Sequence, residues 1–156
     1  MKDALIIYID RLRDGKKEHI DTSVSQNFLD VHEADLQFHS PLSLKGTFYL
    51  AEDHLILQIS LRLESLMRCS ICNELTSFFI DIQNLTDTVA LSEISGNLYD
   101  CRPFLREAIL LEVPYYVECN GNCPKRAELT KYLTTKNRSQ HQVDTTRFPF
   151  ADLNHD

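Results

Sequence analysis

Two cysteine pairs, Cys69/Cys72 in Met67-Arg-Cys-Ser-Ile-Cys and Cys119/Cys123 in Glu118-Cys-Asn-Gly-Asn-Cys-Pro, constrain this chain more than any other feature of it. Two short turns that each present two thiolates can supply the four soft ligands that a tetrahedral zinc ion takes. Residues 73–118 separate the pairs, too long a stretch for a compact zinc ribbon. A shared metal would therefore clamp two parts of one folded domain and would not nucleate a free-standing finger. A redox dithiol at Cys69/Cys72, disulfides, or unrelated buried thiols are the competing readings. A thioredoxin-like centre places Cys-x-x-Cys at the opening of a helix, whose N-terminus stabilises a thiolate. Here the strand-like run from Leu61 to Met67 precedes the first pair, and strand formers from Leu75 to Ile80 follow it. That pattern predicts a hairpin tip.

The surrounding periodicity predicts what holds the tip. Leu42, Leu44, Gly46 and Phe48 alternate with polar residues, as do Leu55, Leu57, Ile59, Leu61 and Leu63, and Ala51-Glu-Asp-His lies between the two runs. Two antiparallel strands with one buried face follow from this spacing, with Leu75–Ile82 as a third strand and residues 84–97 as a polar connection. Weaker signals suggest short strands at Ala4–Ile9 and His19–Val24 and one helical turn in the acidic stretch Asp30–Asp35. One helix is clear. Asp100 is a plausible N-cap, Pro103 suits a first turn, and Phe104, Leu105, Ala108, Ile109 and Leu111 make a wide apolar face that ends before Pro114. Cys101, in its first turn, reads as an inert thiol partly buried in the core. Gly121 permits the left-handed backbone that a metal-binding turn often needs. A short helix and then loop are expected across 125–146, with Phe148-Pro-Phe-Ala-Asp-Leu docking back. The fold class that emerges is α+β: an antiparallel β-meander packed by one main helix, with a four-cysteine clamp.

A chain of 156 residues with eight phenylalanines and six tyrosines can bury one good core, so one domain spanning 1–156 is expected. Four glycines and five prolines, without repeats, argue against disorder or a solenoid. The apolar Ala4–Ile9 run is far shorter than the roughly 20 residues of a membrane span and carries neither a basic leader nor a small-residue cleavage site. Five cysteines, an odd number, suit a reducing cytoplasm with four metal ligands and one spare. The net charge of −7 disfavours a simple nucleic-acid binder, because phosphate affinity rests on cationic side chains. Yet Lys125, Arg126, Lys131, Lys136, Arg138 and Arg147 cluster after the second cysteine pair, where only Glu128 and Asp144 oppose them. This basic segment is either a solvated tail or a patch that contacts phosphate or protein.

Motifs for catalysis are missing from the sequence: no phosphate-cradling glycine loop, no Gly-x-Ser-x-Gly and no His-Glu-x-x-His. The histidines are scattered singly, and Glu107 and Glu112, five positions apart on the helix, read as surface charges. Four thiolates would also close a zinc ion against substrate water.

The order Leu66-Met-Arg-Cys-Ser-Ile-Cys, Leu105-Arg-Glu-Ala-Ile-Leu-Leu-Glu-Val-Pro, Cys119-Asn-Gly-Asn-Cys-Pro and Arg147-Phe-Pro-Phe-Ala-Asp-Leu resembles the YceD family of bacterial and plastid large ribosomal RNA subunit accumulation proteins. The likeness spans roughly residues 42–153, and its most specific element is the Arg-Glu-Ala-Ile-Leu-Leu-x-x-Pro helix between the cysteine motifs. The resemblance implies a cytoplasmic, non-enzymatic factor for accumulation or processing of large-subunit (23S) ribosomal RNA, with the cysteines as a structural metal site. Many members carry Cys-Pro-x-Cys-Gly at the second motif; Arg126 stands here at the last of those cysteines, leaving Cys119 and Cys123 as the available ligands. Expected partners are ribosomal RNA, met through Lys125, Arg126, Lys131, Lys136 and Arg138, or ribosome assembly proteins. The alternative is an interaction module whose acidic body docks a basic ribosomal or assembly protein without touching RNA. Neither reading involves a membrane or a small-molecule substrate.

Overall fold

Strands β4 (Leu42–Ala51) and β5 (His54–Arg68) form the hairpin that the alternating leucines predict, turning through Glu52 and Asp53. This is a computed structural model, and it describes residues 3–136. Every second residue of β5 from Leu55 to Ser65 is buried, so one face of the strand is core and the other meets solvent. Each such leucine or isoleucine contributes about 1.5–3 kcal/mol by leaving water. Strand β2 (Lys17–Val24) pairs with the outer side of β4, and the short β3 (Leu36–Phe38) pairs with the far end of β5 beyond β4. Strand β6 (Leu75–Ala90) runs along the whole opposite side of β5. All of these pairings are antiparallel.

β6 is twice the length expected from sequence. Residues 84–90, predicted as connection, continue the ladder to Ala90↔His54. A bulge explains the difference. Gln83 and Asn84 together face Ser60, between the pairs Ile59↔Leu85 and Leu61↔Ile82, and Asn84 takes a left-handed φ of 56°. The extra residue inverts the alternation, so Phe78, Ile80 and Ile82 point inward before it and Leu85 and Val89 after it.

The N-terminal run forms β1 (Ile6–Tyr8), paired with β7 (Leu98–Asp100), and a short turn follows over Ile9–Leu12. Leu5, Ile7, Ile9 and Leu12 are all core residues, so the N-terminal segment is part of the same buried centre as β4 and β5. The predicted turn in Asp30–Asp35 is not formed. The chain instead makes a 3-10 turn over Gln26–Leu29, capped by Ser25 Oγ accepting from Asn27 N, and Asp30 ends it in a left-handed conformation. Capping chemistry and buried Leu29, not local acidity, decide where the turn forms.

Helix α1 covers Arg102–Glu112. Its N-cap is Cys101, one residue later than predicted, although Asp100 Oδ1 still accepts the Arg102 N–H at 3.0 Å. Leu105 and Ile109 are buried in the core, whereas Leu111, predicted to join them, is 77% exposed. Cys101 is fully buried and its thiol donates to Leu5 O at 3.1 Å; burial, with the Asp100 charge, pushes its pKa up to about 12. It is the inert thiol expected.

Ser65 is the exception on the buried face of β5, with an Oγ that has no hydrogen-bond partner. An orphaned buried hydroxyl costs about 1–3 kcal/mol. Ser65→Ala is expected to raise stability by about 1 kcal/mol, read as a higher urea midpoint at unchanged slope.

Candidate metal centre

The β5–β6 connection is the predicted hairpin tip. Cys69 N donates to Glu74 O at 2.7 Å and Asn73 N to Cys69 O at 2.9 Å, with Asn73 at φ 64° closing the turn. After α1 the chain returns to this tip. Val117 forms a parallel bridge with Cys69, and Ser70 N donates to Val117 O at 2.9 Å. That short bridge fixes the register between two segments far apart in sequence, and it delivers Cys119 and Cys123 beside the first pair. The second turn uses left-handed backbone at Asn120 (φ 56°) and at Gly121 (φ 72°), the latter as expected.

One atom from each of Cys69, Cys72, Cys119 and Cys123 lies within 4.8 Å of all the others. Cys72 Sγ and Cys119 Sγ are 3.7 Å apart, far beyond the roughly 2.05 Å of a disulfide, and all five cysteines are free thiols. Cys69 and Cys123 are buried; Cys72 and Cys119 are half-buried. The four could hold a metal ion in an all-sulfur site.

Electrostatics within the cluster are uneven. The Cys72 backbone N–H points at the Cys69 sulfur, and the N–H groups of Cys119 and Ile71 add to it against the cost of burial. Together they lower the Cys69 pKa to about 6. Cys119 goes the other way: its contact with the Cys123 sulfur, burial, and the Cys72 and Cys69 sulfurs raise it to about 12. Cys72 receives the Glu74 N–H, which works downward as does the Cys119 thiol, but burial and the Cys69 and Cys123 sulfurs outweigh them and its pKa is raised. A cation bound among the four sulfurs would favour the thiolate form of each.

Glu118 organises the second turn. Its Oε2 accepts the Cys123 N–H at 3.1 Å, and the Arg126 guanidinium pairs with both of its oxygens. Arg126 first, then the Cys123 N–H, holds the Glu118 carboxyl below its ordinary pKa. Sequence reasoning passed over Glu118, because its pairing with Arg126 depends on the turn between them; its position next to Cys119 was the signal available. Arg126 was expected to contact RNA or a partner; its guanidinium here ties the second cysteine turn to helix α2 (Arg126–Lys136). Lys125 and Lys131 are exposed, Lys136 falls within α2, and Arg138 lies outside the described residues, as does the Phe148–Leu153 segment. No described side chain of α2 is buried, so the helix stands on the surface beside the cysteines.

Among the described residues, these four cysteines are the one cluster with metal-ligand geometry, and no helix is long and apolar enough to cross a membrane. Fold and site thus define an α+β chain whose sheet ends in a cysteine cluster fed by two remote turns. Compared with known protein families, curated proteins and solved structures, the chain matches none.

Proposed function

We propose that this chain is a zinc-stapled, non-enzymatic cytoplasmic factor supporting accumulation or processing of large-subunit ribosomal RNA. The observation that carries the zinc assignment is the convergence of four cysteines and no other ligand type on one point. A tetrahedral zinc ion with bonds of about 2.3 Å sets neighbouring sulfurs about 3.8 Å apart. The 3.7 Å between Cys72 and Cys119 fits that edge. Four protein ligands leave no open position for substrate, which supports a structural role. The ribosomal reading is supported by the YceD-like order of motifs, whose cysteine segments meet at this cluster although they are remote in sequence. RNA contact falls to the exposed cations next to it, Lys125 and Lys131, with Lys136 and Arg138 continuing the segment.

Lys125→Glu with Lys131→Glu is expected to weaken binding to 23S fragments and to flatten its salt dependence by about 0.7–0.9 in log–log slope per residue. Cells relying on this variant should then accumulate less mature 23S RNA than cells carrying the wild type. Arg126→Ala should instead loosen metal first, because its partner is Glu118. Unchanged RNA affinity with unchanged 23S levels would overturn the ribosomal reading.

A further inference from the structure

The apolar face of α1 is wider than the core uses. Leu105 and Ile109 fill the interior, but Phe104 and Ala108 are half-buried and Leu111 lies open. Together with Ile82 and Leu85 of β6 they line a groove of about 400 Å³ between helix and strand. Its charged lining is all of one sign: Asp87, Glu107 and Glu112. Asp87 also accepts the Tyr99 hydroxyl at 3.3 Å, which fixes its carboxylate at the edge of the groove. Arg106 points elsewhere, donating to Leu29 O at 2.8 Å. The neighbouring edge of β6 has no strand partner among the described residues, since β6 pairs with β5 alone.

We propose that this groove binds a short segment of a partner protein in which leucine-like residues alternate with arginine or lysine. The apolar floor takes up the apolar side chains, and the three carboxylates meet the cations. An extended segment lying along β6 would also satisfy the free N–H and C=O groups of that edge. The same carboxylates repel a phosphate backbone, so nucleic acid is the wrong occupant here. The site is separate from the cysteine cluster and from Lys125 and Lys131, and the ribosomal RNA reading would survive its failure.

The test uses the full chain and a fluorescent peptide of alternating leucine and arginine, titrated by anisotropy. Leu111→Ser should weaken binding about tenfold, as truncation of an interface anchor does. Glu107→Lys with Glu112→Lys should weaken it at least as much and slow association. A charge-matched control on β2, the edge strand opposite β6, Glu18→Lys with Asp21→Lys, should stay within about threefold of wild type, because screening confines charge effects to about 10 Å. Leu111 and both glutamates are exposed, so the variants should keep the wild-type circular dichroism; Leu111→Ala replaces the serine variant if it does not. Several outcomes would overturn the proposal: no binding of the peptide by wild type, equal binding of a serine–arginine peptide, equal loss in the charge-matched control, or preferential binding of oligouridylate sensitive to the same groove variants.

Discussion

Cys69→Ser is expected to empty the metal centre and lower the melting temperature by about 10 °C, on the scale of losing a structural ligand in a domain of this size. Cys69 is the most constrained of the four sulfurs. It is 2% exposed, it is the focus of N–H groups from Cys72, Cys119 and Ile71, and its backbone carries the bridge to Val117. A serine oxygen keeps neither the soft ligand character nor the thiolate charge that those donors face. The effect should be local in structure, because the β4–β5 core is packed independently of the tip. Far-ultraviolet circular dichroism should therefore survive while metal content, measured by mass spectrometry on protein purified under reducing conditions, falls from about one zinc per chain to well below it. Cobalt loaded in place of zinc gives a second readout, since sulfur-to-cobalt charge-transfer absorption should weaken in the variant. Cys101→Ser is the control: its thiol lies in the core against Leu5 O, and metal content should be unchanged. Equal metal loss in both variants, or full retention in Cys69→Ser, would remove the four-cysteine site.

What the sequence made legible is the part of the fold in which a single period governs. Leucines on one face of β4 and β5 can be read because nothing interrupts their alternation, and the first cysteine pair follows as the tip of that hairpin. β6 was read only as far as Ile82, because the bulge at Gln83 and Asn84 shifts the phase and makes the remaining strand resemble a polar loop. The acidic 30–35 stretch misled for a related reason: side-chain charge says little about helix formation where a serine cap lies just upstream. At the cysteines, the four ligands were legible as residue types, but the means of bringing them together was not. A single parallel bridge at Val117 and a carboxylate at Glu118 shared between Cys123 and Arg126 are tertiary facts without local period. Leu111 shows the converse. Helical spacing placed it on the apolar face, yet the sheet offers no surface to cover it, and that mismatch is what defines the groove beside β6.

Gly46→Ala is expected to cost about 2–4 kcal/mol, although the same exchange in a strand ordinarily stabilises by about 0.5–1 kcal/mol. Gly46 occupies the inward set of β4 with Leu42, Leu44 and Phe48, directly opposite Ile59. A Cβ there would lie 2.7 Å from Gln58 O and 3.3 Å from both Cα and Cγ1 of Ile59. Its backbone is not left-handed, so the requirement for glycine is one of space. The obstructing atom is a main-chain carbonyl and cannot rotate away. β5 cannot retreat either, because it is held by β4 on one side and by β6 on the other, with the bulge opposite Ser60 adjoining the same position. Relief would need the strands to part at the centre of the sheet, which loosens the packing of Leu57, Ile59 and Leu61. A urea titration should show a lower midpoint at an unchanged slope. The cysteine tip lies ten residues further along β5, about 30 Å away at strand spacing, so metal content should remain that of the wild type. Stability and metal retention thus respond to different substitutions: Gly46→Ala moves the first alone, whereas Cys69→Ser moves both. If Gly46→Ala left stability unchanged, the β4–β5 register that sets the position of the whole hairpin, and of Cys69 at its end, would have to be abandoned.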